Sequence, residues 1–179
     1  PEIVRRLFSL EIPEVASGVV QIHAVAREAG SRSKVAVSSS QENVDPIGSC
    51  IGQRGTRIQT VISELAGEKI DIIQFDTDPV KFISNALSPA KVVSINLDEA
   101  ALVADVTVNE DQLSLAIGRG GQNVRLASKL TGWRINIKGA GMPLSEAAAA
   151  PEPSVPSELT VEASEVPEAP AAEDAKDKE

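Results

Sequence analysis

Asp-Pro-Ile-Gly-Ser-Cys-Ile-Gly-Gln-Arg-Gly-Thr-Arg-Ile at residues 45–58 and Asp-Gln-Leu-Ser-Leu-Ala-Ile-Gly-Arg-Gly-Gly-Gln-Asn-Val at residues 111–124 are two copies of one pattern. Asp45 matches Asp111, Ile47 matches Leu113, Ile51-Gly52 matches Ile117-Gly118, Gly55 matches Gly121 and Ile58 matches Val124. In each copy a short helical stretch (46–51, 112–117) meets a longer one (56–65, 122–130) at a Gly-x-x-Gly tetrapeptide. The longer stretch runs to a glycine, Gly67 or Gly132, and then to an alternating strand, Ile70-Asp71-Ile72-Ile73 or Arg134-Ile135-Asn136-Ile137. Ile58, Val61, Ile62 and Leu65 recur at helical spacing and are expected to face the sheet of their own copy.

The repeat extends upstream. Ile3, Val4, Leu7 and Phe8 form an apolar stripe at helical spacing, and Phe82, Ile83, Ala86 and Leu87 form it again. Asp78-Pro79 supplies an N-cap acid and a proline at the first helical position for the second copy. Each stripe leads through a proline (Pro13, Pro89) into two β-type runs, 19–26 and 34–38 in the first copy, 91–97 and 102–108 in the second. The order helix, strand, strand, helix, Gly loop, helix, strand occurs twice, which predicts an α+β fold of two small modules. The expected boundaries are 1–76 and 77–138, with only Asp76 and Thr77 between the last strand of one and the first helix of the other.

The loops have a definite chemistry. Gly52 and Gly55, like Gly118 and Gly121, lack a Cβ and let another backbone approach. The helix that follows opens with unpaired N–H groups and the positive end of its dipole, which favours a phosphate. Gln53-Arg54 and Arg119-Gly120 occupy the loop centres, with Arg57 and Arg125 just inside the helices. A single Gly-x-x-Gly reads as a tight helix–helix turn; two copies, each preceded by Ile and framed by the same elements, point to a ligand.

In this context the pattern resembles the KH nucleic-acid-binding domain, and the helix-first order resembles its bacterial, type II form. Longer motifs sharpen the likeness. The stretches at 14–18 (Glu-Val-Ala-Ser-Gly), 26–32 (Ala-Arg-Glu-Ala-Gly-Ser-Arg), 67–72 (Gly-Glu-Lys-Ile-Asp-Ile), 85–90 (Asn-Ala-Leu-Ser-Pro-Ala) and 111–119 (Asp-Gln-Leu-Ser-Leu-Ala-Ile-Gly-Arg) resemble the tandem KH region of the NusA family of bacterial transcription factors. The resemblance covers residues 1–138. It implies binding of single-stranded nascent RNA by Gly52, Gln53, Arg54, Gly55, Arg57 and Ile58 in the first copy. In the second copy it implies Gly118, Arg119, Gly120, Gly121, Gln122, Asn123 and Arg125. It further implies a cytoplasmic role in elongation, pausing, termination and antitermination, with the RNA polymerase elongation complex and other antitermination factors as partners reached through a longer protein. Members of the family also carry a polymerase-binding N-terminal domain and an OB-type barrel, to which no stretch here corresponds, and residue 1 is Pro rather than Met; a piece of a longer chain is expected. The second loop departs from the family in having Gly120 where a charged residue often stands, which implies weaker steering of the RNA backbone there.

Charge divides the chain. Its 179 residues hold 17 basic and 26 acidic side chains, net −9. Residues 139–179 contain ten of those acids, only Lys176 and Lys178 as bases, and six of the 11 prolines, so an Ala/Pro/Glu-rich acidic tail is expected to be disordered. Residues 1–138 are left at net −1. A near-neutral body sustains an alternative, a protein–protein scaffold of the transcription complex with little RNA affinity, because nonspecific RNA binding rests on basic charge.

Other classes find little support. The single Cys50 and single His23 exclude an intrachain disulfide and leave little for a catalytic triad or a metal site. No catalytic residue, metal or cofactor is expected, and neither a P-loop nor a dinucleotide fingerprint occurs. No apolar run reaches the ~20 residues that would span a bilayer, and a monomer is expected. Four aromatics, Phe8, Phe75, Phe82 and Trp133, are too few for base-stacking platforms. Cys50 reads as core packing, His23 as a sheet-face residue and Trp133 as core or interface packing. Arg32 and Lys34 read equally as a solvated hairpin face or an RNA contact.

Overall fold

The computed structural model describes residues 1–140 and the backbone pair Ala148–Ala149. In the first module, helix α1 (Glu2–Glu11) buries Val4 and Phe8 and is followed by a single turn, α2 (Pro13–Ala16), whose first residue is proline. Strands β1 (Val20–Glu28) and β2 (Arg32–Ser39) form an antiparallel hairpin. Helices α3 (Pro46–Ile51) and α4 (Thr56–Glu64) flank the first loop, and β3 (Lys69–Gln74) lies parallel to β2. The second module repeats this with α5 (Pro79–Ala86), β4 (Val92–Asp98), β5 (Val103–Val108), α6 (Glu110–Ile117), α7 (Gln122–Thr131) and β6 (Arg134–Gly139). The sheet orders are β1-β2-β3 and β4-β5-β6, and the two-residue strand β7 (Ala148–Ala149) adds antiparallel to β6. The fold is α+β with two tandem KH units.

The expected elements thus form, with three differences. The turn α2 has no apolar periodicity and was not legible. The second module's last strand continues past Lys138, because Gly139 pairs with Val108 and the Ala140 N–H bonds to the Val108 carbonyl at 2.8 Å. The matched acids Asp45 and Asp111 differ in role: Asp45 caps α3 through the Ile47 and Gly48 N–H groups, both at 3.0 Å, whereas α6 starts earlier and Asp111 sits in its first turn. Apart from Gly139, Ala140 and the strand β7, the expected disordered tail lies outside the described residues.

Each antiparallel hairpin skips one residue at the same place, His23 in β1 and Val93 in β4. Arg5 donates to the Ile22 and His23 carbonyls at 2.8 and 3.3 Å, tying the first bulge to α1. His23 stacks on Phe75 with ring centroids 3.9 Å apart, and Phe75 meets Phe82 edge-on at 5.0 Å.

Among the described residues there are two apolar clusters, and they do not divide between the modules. The smaller, around Phe8, Val35, Val37, Cys50 and Val61, lies between the first sheet and its own helices. The larger joins the second module's core to Ala26, Ala36 and Ile73 on the opposite face of the first sheet, with Ala24 and Phe75 beside them. Small side chains on that face let α7 pack closely on β1 and β2. Polar contacts seal the join: Lys34, fully buried, donates from Nζ to the Ser88 carbonyl at 2.9 Å and lies 3.4 Å from Asp71. Burial pushes the Lys34 ammonium pKa down, partly opposed by Asp71. Lys34 is therefore an interface residue rather than a solvated one.

Glu68, at the start of β3, is fully buried and fully bonded. It accepts from Arg27 through both oxygens, from the Gly30 N–H at 3.0 Å and from Ser33 Oγ at 2.6 Å. Burial alone would raise its pKa, but these donors hold the carboxyl below its usual range.

Candidate nucleic-acid interface

The two loops share one backbone path. α3 ends at Gly52 (φ 73°, ψ 177°) and α6 at Gly118 (φ 75°, ψ 172°). The third loop position is left-handed in both, Arg54 at φ 54°, ψ 20° and Gly120 at φ 59°, ψ 27°, and Gly55 and Gly121 follow at φ 78° and 73°. A 3.1 Å bond from the Gly55 N–H to the Gly52 carbonyl closes the first turn, and Gly121 to Gly118 closes the second at the same distance. The leading glycine is also demanded by space. A Cβ on Gly118 would lie 2.8 Å from the backbone nitrogen of Asn123, and one on Gly52 would lie 2.8 Å from Arg57 Cγ.

Among the described residues no side chain caps α4 or α7; the Thr56 and Gln122 N–H groups bond the Gln53 and Arg119 carbonyls, and the N–H groups that follow them in the first turn have no side-chain cap. Gln53, Arg54, Arg119 and Gly120 are exposed at the loop crests. Among the described residues Arg54 and Arg119 have no side-chain partner, which leaves one unpaired guanidinium on each loop.

The second arginine of each copy is anchored. Arg57 donates to Glu14 Oε2 and to the Ser49 carbonyl, both at 2.8 Å, closing one side of a cleft of about 650 Å³ beside the first loop. Backbone bonds and then Arg57 lower the Glu14 pKa against the effect of burial. Arg125 instead reaches into the other module, where its Nε donates to Glu28, while Nη1 bonds the Gly120 carbonyl at 3.2 Å. Gln122 donates to the same Glu28 at 2.7 Å and to Ser31 Oγ at 2.8 Å. Arg125 hydrogen bonding is the main reason the Glu28 carboxyl titrates below its usual range.

Two expected contacts point inward. Asn123 is buried, and its Nδ2 donates to the carbonyls of Leu87, Leu115 and Ala116 at 3.0, 3.1 and 3.1 Å, tying α7 to α5 and α6; its Oδ1 has no partner among the described residues. Ile58 is buried in the first module's core with Val61 and Leu65. Glu14, Glu28 and Ser31 organise the site from the stretches 14–18 and 26–32, which carry the family resemblance but no signal of this role. Cys50 packs in the core with its thiol pushed up to about 12 by burial, so it stays protonated at neutral pH. Among the described residues no cluster of His, Cys, Asp and Glu has the makings of a metal site, and no helix is long and apolar enough to cross a membrane.

Comparison with known proteins is decisive about kinship. Residues 1–75 match the NusA-like first KH domain, and residues 79–142 match the NusA-like second KH domain. The chain belongs to the NusA family. It is 59% identical over 144 residues to the transcription termination/antitermination protein NusA of Mycobacterium tuberculosis (strain ATCC 25618 / H37Rv), covering 80% of this chain and 42% of that protein. To NusA of Bacillus subtilis (strain 168) it is 52% identical over 138 residues, covering 77% of this chain and 37% of the relative. The chain therefore spans less than half the length of these NusA proteins. Among solved structures, the crystal structure of APE1850 aligns with a TM-score of 0.55 at 29% identity, covering 74% of this chain and 96% of that one.

Proposed function

We propose that the chain binds single-stranded RNA, with a short stretch of sugar–phosphate backbone seated on each Gly-x-x-Gly loop and the bases directed into the adjoining clefts. One observation carries this reading: two loops of the same backbone conformation each present an arginine, Arg54 or Arg119, that has no partner among the described residues, beside a helix N-terminus that no described side chain caps. Residues 52–55 and 118–121 touch RNA, whereas Arg57, Gln122, Asn123, Arg125 and Ile58 hold the loops in place. Within a longer protein of the NusA family, the RNA-binding pair serves the RNA polymerase elongation complex and other antitermination factors in the cytoplasm, modulating pausing, termination and antitermination. The two domains divide near Thr77 and the tail follows them.

Acidic residues at the crests test this. Gln53→Asp with Arg54→Asp, and Arg119→Asp with Gly120→Asp, place carboxylates where phosphates would sit. Each pair is expected to weaken RNA binding at least tenfold with circular dichroism unchanged. The scaffold alternative, which the net charge of −1 over residues 1–138 favours, requires that a normally folded four-site variant bind RNA as well as the parent.

A further inference from the structure

The cleft beside the second loop is assembled differently from the cleft beside the first. All residues lining the first come from the first module. The second, about 400 Å³, is faced on one side by Leu115, Gly118 and Arg119 of the second module and on the other by Ser31, Arg32 and Lys69 of the first. The two walls are fixed to each other, because Gln122 and Arg125 bond Glu28 and Ser31 across the join.

The first module's wall is cationic. Lys69 is exposed, its backbone N–H is pinned to the Ser31 carbonyl at 3.1 Å, and its ammonium has no partner among the described residues. Arg32 spends Nε and one terminal nitrogen on Asp71 at 2.6 and 2.9 Å, which leaves its other terminal nitrogen with two donors. Arg119 faces them from the loop. Asn123 also lines the cleft, and its Oδ1 is a buried acceptor without a donor among the described residues.

We propose that the second cleft is a composite site, in which Lys69 and Arg32 of the first module contact the phosphodiester backbone of the strand seated on the second loop. The proposal rests on the RNA reading above and extends it. Three cations around a narrow cleft, with the neighbouring acids Glu28 and Asp71 already paired, suit a strand that carries one negative charge per nucleotide. The second loop thereby recovers from its neighbour the charge that Gly120 does not supply.

Lys69→Glu in the full chain is the direct test, because Lys69 is exposed and its side chain makes no bond among the described residues. The probe is a labelled mixed-sequence single-stranded RNA pool of about twelve nucleotides, long enough for two clamps of about four nucleotides and a spacer. Lys69→Glu is expected to weaken binding severalfold and Lys69→Gln less, with the latter reducing the slope of log affinity against log salt by about 0.7, one single-strand phosphate contact. The loss should shrink when Arg119 and Gly120 are already Asp, and persist in full when Gln53 and Arg54 are Asp. A loss no greater than that of Arg6→Glu, a surface charge change lining neither cleft, overturns the proposal. So does an equal loss in both loop backgrounds. Failure of the RNA reading looks different, since then the loop variants themselves leave binding unchanged.

Discussion

On the outer face of the first sheet stand Lys34, Ala36, Asp71 and Ile73; the same register positions of the second sheet hold Asp105, Thr107, Asn136 and Lys138. The first set is covered by the neighbouring module, with Lys34, Ala36 and Ile73 buried. The second set remains partly accessible, and Asn136 donates to Asp105 at 2.9 Å across the strands. The loops diverge in the same way: Arg57 closes onto its own module, Arg125 onto the other. A repeated sequence plan therefore carries two different jobs. One copy offers a small-residue shelf for docking, and the other supplies the helix that docks and keeps a polar face on which no further module stacks among the described residues.

The difference is sharpest at Ile73 and Lys138. Ile73→Lys places an ammonium in the shared core and is expected to cost about 3–5 kcal/mol, seen as a lower urea midpoint. Its mirror, Lys138→Ile on the open face, is expected to change stability by no more than about 0.5 kcal/mol. Equal losses at the two positions would break the comparison.

Next in size is the link between modules. Glu28→Gln removes the charge that Arg125 and Gln122 share, at an expected cost of about 1 kcal/mol because both partners are partly solvated. The pH dependence has a definite sign. Arg125 bonding and charge, Gln122 and the Lys129 charge depress the Glu28 pKa. The stability it adds is therefore full above its unfolded pKa, about 4.3, and lost as pH falls through the lower folded value. Thermal melts of parent and Glu28→Gln should converge on acidification; a gap that held constant into the acid range would show that the link is not electrostatic.

The smallest effect concerns the loops' left-handed residue. Arg54 takes a conformation that costs a residue with a side chain about 1 kcal/mol, while Gly120 takes it freely. Arg54→Gly should raise the melting temperature slightly while weakening RNA binding, and Gly120→Arg should do the reverse. Melting shifts of the same sign would mean that the two loops are not under the same backbone constraint.

What could be read from the sequence was local. The cap at Asp78, the paired glycines and the apolar stripes lie within a few residues of the structure they specify, and α5 and the Gly-x-x-Gly turns form where those signals place them. The docking surface could not be read. Ala24, Ala26 and Ala36 are unremarkable strand residues until a helix lies on them, and Lys34 resembles any hairpin lysine. Arg57 and Arg125 look alike beside their loops. Their partners stand 43 and 97 positions away, so spacing could not separate an anchor from a phosphate contact.

The shared apolar cluster has a consequence for how the molecule comes apart. Ala26, Ala36 and Ile73 are walls of the second module's core, so opening the first sheet uncovers the second module at once. The pair of modules is then one cooperative unit rather than two foldons in series, and amide protons in β2 and α7 should exchange with the same opening free energy. Nature has also supplied the reporter. The chain has one Trp and no Tyr, and Trp133 packs against that cluster, so its emission and the far-ultraviolet dichroism of both sheets should change in a single coincident transition.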